Sequence, residues 1–109
     1  MNLDKETQQK IQELQSYEQS LQTFLHQRQA FQLELSETEN ALSEISKTDE
    51  EVYKVVGQIM IKTDKKKTIE ELKQKNEFLS LRLKTIEKQE SELSKKADEL
   101  KKEIMQKIK

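Results

Sequence analysis

Apolar residues in the first part of the chain recur at alternating steps of three and four: Leu14, Tyr17, Leu21, Phe24, Phe31, Leu35, Leu42 and Ile45, with Arg28 and Thr38 in the same series. That spacing sets a single stripe along one side of an α-helix. Sustained over several heptads, it is the pattern of a coiled-coil seam. Ile11 and Leu25 widen the stripe on one flank. A second series follows at Ile69, Leu72, Asn76, Leu79, Leu83, Ile86, Glu90, Leu93, Ala97, Leu100 and Ile104. Ahead of it, Thr68-Ile69-Glu70-Glu71 reads as a capping box, with Thr68 and Glu71 satisfying first-turn amides. Helices are therefore predicted over about 4–47 and about 68–107. Each would run roughly 60 Å at about 1.5 Å per residue, a length that coiled coils produce routinely.

Between the stripes the periodicity changes. Residues 52–63, Val-Tyr-Lys-Val-Val-Gly-Gln-Ile-Met-Ile-Lys-Thr, concentrate β-branched and aromatic side chains in a chain otherwise poor in them. Gly57-Gln58 fits a two-residue turn with glycine first, the type II′ requirement. Strands are predicted at Val52–Val56 and Ile59–Thr63. Alternation leaves apolar residues on both faces: Val52 and Val56 face one way and Tyr53 and Val55 the other, and Met60 opposes the side of Ile59 and Ile61. An isolated two-stranded hairpin is marginally stable and its edges invite pairing. Two solutions remain open, strands added by other subunits or a loop folded onto the first helical turns. The former makes this segment an assembly element.

A linker this short returns the second helix antiparallel to the first. Setting Ile45 against Ile69 gives a register in which opposed residue numbers add to 114. Leu42 then meets Leu72, Leu35 meets Leu79, Phe31 meets Leu83, Leu21 meets Leu93, and Tyr17 meets Ala97. The polar exceptions also fall together. Thr38 opposes Asn76, a polar layer that would help set register, and Arg28 lies within reach of Glu90 across the seam. The fold class is thus all-α in the main: one domain of 109 residues, a two-helix antiparallel coiled coil with a β-hairpin between the helices.

Composition agrees with that fold. Charged residues make up 38% of the chain and hydrophobic ones 32%, with one glycine and no proline, so loops are few. Residues 1–51 carry 4 basic and 11 acidic side chains, a balance of −7, while residues 52–109 carry 16 and 10, a balance of +6. Opposite halves attract when the chain folds back, a modest and salt-sensitive bias toward the hairpin. No run of about 20 apolar residues offers a membrane span, and Met1-Asn2-Leu3-Asp4-Lys5-Glu6 lacks the pattern of a secretory signal. A cytoplasmic protein that engages no membrane is expected.

The search for reaction chemistry ends quickly. His26 is the one histidine and has no acidic or cysteine partner at ligand spacing, cysteine is absent, and Gly57 stands alone without a phosphate cradle. No catalytic residues, cofactor or metal ligands are assigned, and an enzyme is not expected. Lysines of the second helix are interrupted by Glu70, Glu71, Glu77, Glu87, Glu92, Asp98, Glu99 and Glu103, so no contiguous basic surface for nucleic acid forms. More informative is an apolar surplus where the termini converge. Leu3, Ile11, Ile104, Met105 and Ile108 exceed what the seam absorbs, since Met105 and Ile108 cannot share the face of Ile104. They fit weak contact with apolar segments; frayed ends without function are the other account.

The run Val52-Tyr53-Lys54-Val55-Val56-Gly57, then Gln58-Ile59-Met60-Ile61-Lys62 and Lys84-Thr85-Ile86-Glu87-Lys88-Gln89-Glu90, resembles the beta-type subunits of the prefoldin family, most closely the archaeal form, over essentially the whole chain. Room for a single hairpin points to the beta type, since alpha-type subunits insert two. The resemblance implies an ATP-independent co-chaperone. Two alpha-type and four beta-type subunits would join hairpins into β-barrels as a heterohexamer, hold unfolded proteins at the coiled-coil tips and pass them to a group II chaperonin. Val52, Tyr53, Val55, Val56, Gly57, Ile59, Met60 and Ile61 would then form the assembly hairpin, and Leu3, Ile11, Ile104, Met105 and Ile108 the client-binding tip. The alternative is a structural coiled-coil spacer or adaptor that oligomerises through the same hairpin.

Overall fold

The computed structural model describes residues 4–108. Four elements follow in order: helix α1 (Lys5–Lys47), strands β1 (Val52–Val56) and β2 (Ile59–Thr63), and helix α2 (Lys65–Ile108). Contacts divide the chain into two units, one combining residues up to 29 with those from 84 onward, the other spanning residues 30–83.

In the terminal unit the helices run antiparallel. As residue number on α1 rises through Glu6, Lys10, Glu18 and Arg28, that of the ionic partner on α2 falls through Lys107, Glu103, Lys101 and Glu90. Those pairs add to between 113 and 119, in keeping with the register built on 114. The core comprises Ile86, Ala97, Leu100 and Ile104, with Ile86 only 1% exposed. Leu14, Tyr17, Leu21, Phe24 and Leu93 are half-buried, as side chains of a two-helix seam must be when no third element covers their flanks. The seam also extends one heptad beyond Leu14, to a buried Thr7 and a partly buried Lys10. At the start of α1 the Thr7 N–H donates to Asp4 Oδ1 at 2.7 Å, an N-cap that satisfies one of the unpaired first-turn donors.

The 30–83 unit holds the hairpin and the adjoining helix ends. Glu34 pairs with Lys75 at 3.1 Å, and Lys65 Nζ donates to the Thr48 carbonyl at 2.6 Å, again antiparallel. Ile45, Leu79 and Thr38 are buried, and Leu35, Leu42, Ile69, Leu72, Asn76 and Leu83 half-buried, so every seam position named from the sequence turns inward. The Arg82 guanidinium lies 5.9 Å from the centroid of the Phe31 ring, a cation–π contact that covers the edge of the seam.

Two expectations need correction here. Helix α2 starts at Lys65, three residues before the expected Thr68. The cap is Asp64, whose Oδ2 accepts the Lys67 N–H at 3.1 Å, while the Thr68 hydroxyl turns back to the Asp64 carbonyl at 2.8 Å. A carboxylate at the positive helix end offsets three consecutive lysines, which by themselves argue against a helix start. The expected Thr38–Asn76 layer does not bond across the seam either. Thr38 Oγ1 donates to the Glu34 carbonyl at 2.8 Å, and Asn76 Oδ1 accepts from Ser80 Oγ at 3.5 Å. The bonds that Thr38 and Asn76 make here lie within their own helices, so this layer holds no register through them.

Candidate functional site: the β-hairpin and the terminal apolar surface

Strands β1 and β2 pair in the register Val52 with Thr63, Tyr53 with Lys62, Lys54 with Ile61, Val55 with Met60 and Val56 with Ile59. Gly57 has φ of +62° and, among the described residues, no residue other than glycine has positive φ, so Gln58 is excluded from the left-handed region and the turn meets the type II′ requirement. One face presents Val56, Ile59 and Ile61; the other presents Tyr53, Val55 and Met60. Both are exposed, Val55 at 67% and Ile59 at 64%, while only Val52 and Thr63 at the helix end are half-buried. Within this single chain the hairpin does not fold onto the helices.

What holds the hairpin's base is polar. Lys62 Nζ and the Tyr53 hydroxyl each donate to Glu51, both at 2.9 Å. Lys62, and next Tyr53, keep the Glu51 carboxyl below the ordinary glutamate range. Thr63 and Thr68 hydroxyls meet at 3.1 Å and tie β2 to the first turn of α2. Beside this joint a groove of about 610 Å³ opens between Tyr53, Val52, Ile45, Leu72 and Ala41, a feature that strand alternation alone could not have disclosed.

The terminal unit places the other expected residues unequally. Ile104 packs into the seam at 6% exposure, and Ile11 is half-buried. Met105 at 58% and Ile108 at 41% remain on the surface. Leu3 lies outside the described residues. Sequence reasoning missed an ionic cluster in the same unit: Lys10 Nζ lies 3.5 Å from Glu6 and 3.3 Å from Glu103, and Lys107 Nζ lies 3.9 Å from Glu6. A hydrogen bond to Glu103 is the main cause that raises the Lys10 pKa, with burial opposing it. Continuing the heptad series back from Leu14 to Lys10 was the signal available for it.

Among the described residues no cluster of three or more His, Cys, Asp or Glu could hold a metal ion, and no helix is long and apolar enough to cross a membrane.

A family model described as prefoldin subunit matches residues 8–109. The chain belongs to the prefoldin family. It is 42% identical over 105 residues to the prefoldin subunit beta of Thermococcus onnurineus, covering 94% of this chain and 90% of that one. Identity is 43% over 110 residues with the prefoldin subunit beta of Thermococcus gammatolerans, covering 99% and 94% respectively. A solved structure, the crystal structure of the prefoldin beta subunit from Thermococcus strain KS-1, superposes with a TM-score of 0.84 at 42% identity, covering 96% of this chain and 94% of that one. The expected resemblance to archaeal beta-type prefoldin therefore holds across the chain, as does the two-helix fold with a single hairpin. Membership makes this chain a chaperone subunit of the prefoldin family and not an enzyme.

Proposed function

We propose that this chain is one of the beta-type subunits of a heterohexameric, ATP-independent cytoplasmic chaperone. The subunit joins alpha-type and other beta-type partners through its hairpin, holds unfolded proteins at its terminal unit and passes them to a group II chaperonin. One observation carries the reading: a two-stranded sheet with two free edges and apolar residues exposed on both faces. Burying Val55, Val56, Ile59, Met60 and Ile61 against strands of other subunits would remove a large apolar surface from water at about 25 cal/mol per Å². It would also close edges that otherwise template aggregation. A single chain offers neither. In the terminal unit, Ile11, Met105 and Ile108 supply apolar contact too small for a stable complex with one partner, and several arms on one unfolded chain raise the effective concentration.

The test is the double substitution Val55→Lys with Ile59→Lys, mixed with an alpha-type partner and followed by sedimentation velocity and circular dichroism. Helix content should persist while the large complex disappears. A variant that still assembles would exclude the hairpin as the hub. Loss of aggregation protection when Met105 and Ile108 are both changed to Ser, with assembly intact, separates the chaperone from a coiled-coil spacer or adaptor, which would lose nothing.

A further inference from the structure

We infer that an unfolded polypeptide lies along one flank only of the terminal unit, with its backbone against a ladder of glutamines on α1 and its apolar side chains on Met105 and Ile108. This deepens the client-binding reading above and rests on it.

The two flanks of the unit differ in apolar content. Counting heptads from Leu14 and Ile69 as a positions, e and b lie on one flank of a helix and g and c on the other, and an antiparallel pair brings e beside e and g beside g. The ion pairs agree. Glu18 and Lys101, both e, meet at 4.0 Å, whereas Glu6 and Glu103, both g, are bridged by Lys10 at 3.5 and 3.3 Å. The g flank is thus closed by an ionic cluster and carries no apolar side chain among the described residues. Ile11, Met105 and Ile108 occupy e or b positions, so all three lie on the other flank.

On that same flank the b positions Gln15, Gln22 and Gln29 are all exposed glutamines, a series that begins at Gln8. A shallow groove of about 600 Å³ runs beside them, lined by Gln15, Gln19, Gln22 and Leu21 and by the Glu18–Lys101 pair. Seven helical residues rise about 10.5 Å, and three residues of extended chain span about 10 Å. Successive glutamines therefore meet every third residue of an extended segment. Each carboxamide both donates and accepts, and every peptide unit of an unfolded chain offers a carbonyl, with an N–H wherever the residue is not proline. Such recognition ignores side-chain sequence and charge, as a holder of many clients requires. The exposed apolar area is a few hundred Å² at most, well under the roughly 800 Å² per partner of a stable interface. That argues for a short flexible segment as occupant over a folded protein or a second copy of this chain.

A photo-crosslinking residue placed singly at Gln15, Met105, Gln9 or Gln106 in the assembled complex, with a permanently unfolded carboxymethylated test protein as probe, tests the flank. Gln9 and Gln106 are c positions and report the ionic side. Crosslinking from Gln15 and Met105 should exceed that from Gln9 and Gln106 severalfold, and Gln15→Ala with Gln22→Ala should weaken protection severalfold while Gln9→Ala does not. Equal labelling from both flanks overturns the one-sided site yet leaves capture at the terminal unit intact. No labelling from any of the four, with protection undiminished, overturns the client-binding reading as well.

Discussion

Arg28 Nε donates to Glu90 Oε1 at 2.8 Å across the helix seam, at positions where the surrounding heptads place leucine, isoleucine or phenylalanine. Both side chains are less than a third exposed, at 29% and 22%. A charge-assisted bond is made there, with Oε2 at 3.3 Å as a second acceptor. Breaking it from one side leaves a poorly solvated charge without its partner. Arg28→Leu or Glu90→Leu alone should cost about 1–3 kcal/mol. The double Leu variant should recover most of that loss, because two apolar residues complete the seam. Urea unfolding of the assembled protein measures all three, and a double variant as damaged as the sum of the singles would refute the coupling.

Burial along the helices sorts their apolar residues into two groups. Ile86 is 1% exposed and Phe78 is 59% exposed. Ile86→Ala should cost about 2–5 kcal/mol, through lost transfer energy and the cavity left behind. Phe78→Ala should stay within about 0.5 kcal/mol. Thermal unfolding of the two variants at matched concentration checks the contrast, and comparable losses would mean that Phe78 is covered in the assembly.

At the hairpin turn the constraint is conformational alone. Gly57 has φ of +62°, and a Cβ built on it meets nothing within 4 Å. Alanine should therefore cost about 1–2 kcal/mol from the left-handed backbone with no steric addition, and asparagine less, since it tolerates this region better. Hydrogen exchange across the Val55–Met60 pair is the readout. An alanine variant as protected as the parent would show that the turn has rearranged.

Acid should loosen the start of α1. Hydrogen bonds from Thr7, side chain first and backbone second, hold the Asp4 carboxyl below the ordinary aspartate range. A depressed carboxylate contributes stability that is complete above its unfolded pKa and is lost as pH falls through the folded value. The first turn should fray in that acidic window while the seam around Ile86 stays ordered, seen as selective broadening or shift of the Thr7 amide by NMR. Asp4→Asn keeps a capping oxygen but does not titrate, so its profile should be flat across the window; a profile matching the parent would dismiss the cap as the cause.

The heptad series in this chain were enough to place both seams and the Arg28–Glu90 pair, and the β-branched run around Gly57-Gln58, with its short linker, placed both strands and the antiparallel return. Helical and strand periodicities are local properties, and a buried stripe has to be written in residues whatever packs against it. The start of α2 was misread because Thr68-x-x-Glu71 imitates a cap and the lysine run before it opposes the helix dipole. Asp64 prevails there because its carboxylate meets the Lys67 N–H while Lys65 reaches across to Thr48, a contact that exists only once the helices lie side by side. The chemical difference between the two flanks of the terminal unit had to wait for the fold in the same way. Positions e and g are equivalent along one isolated helix, and only an antiparallel partner sets Glu6 and Glu103 together on one flank and Ile11, Met105 and Ile108 on the other.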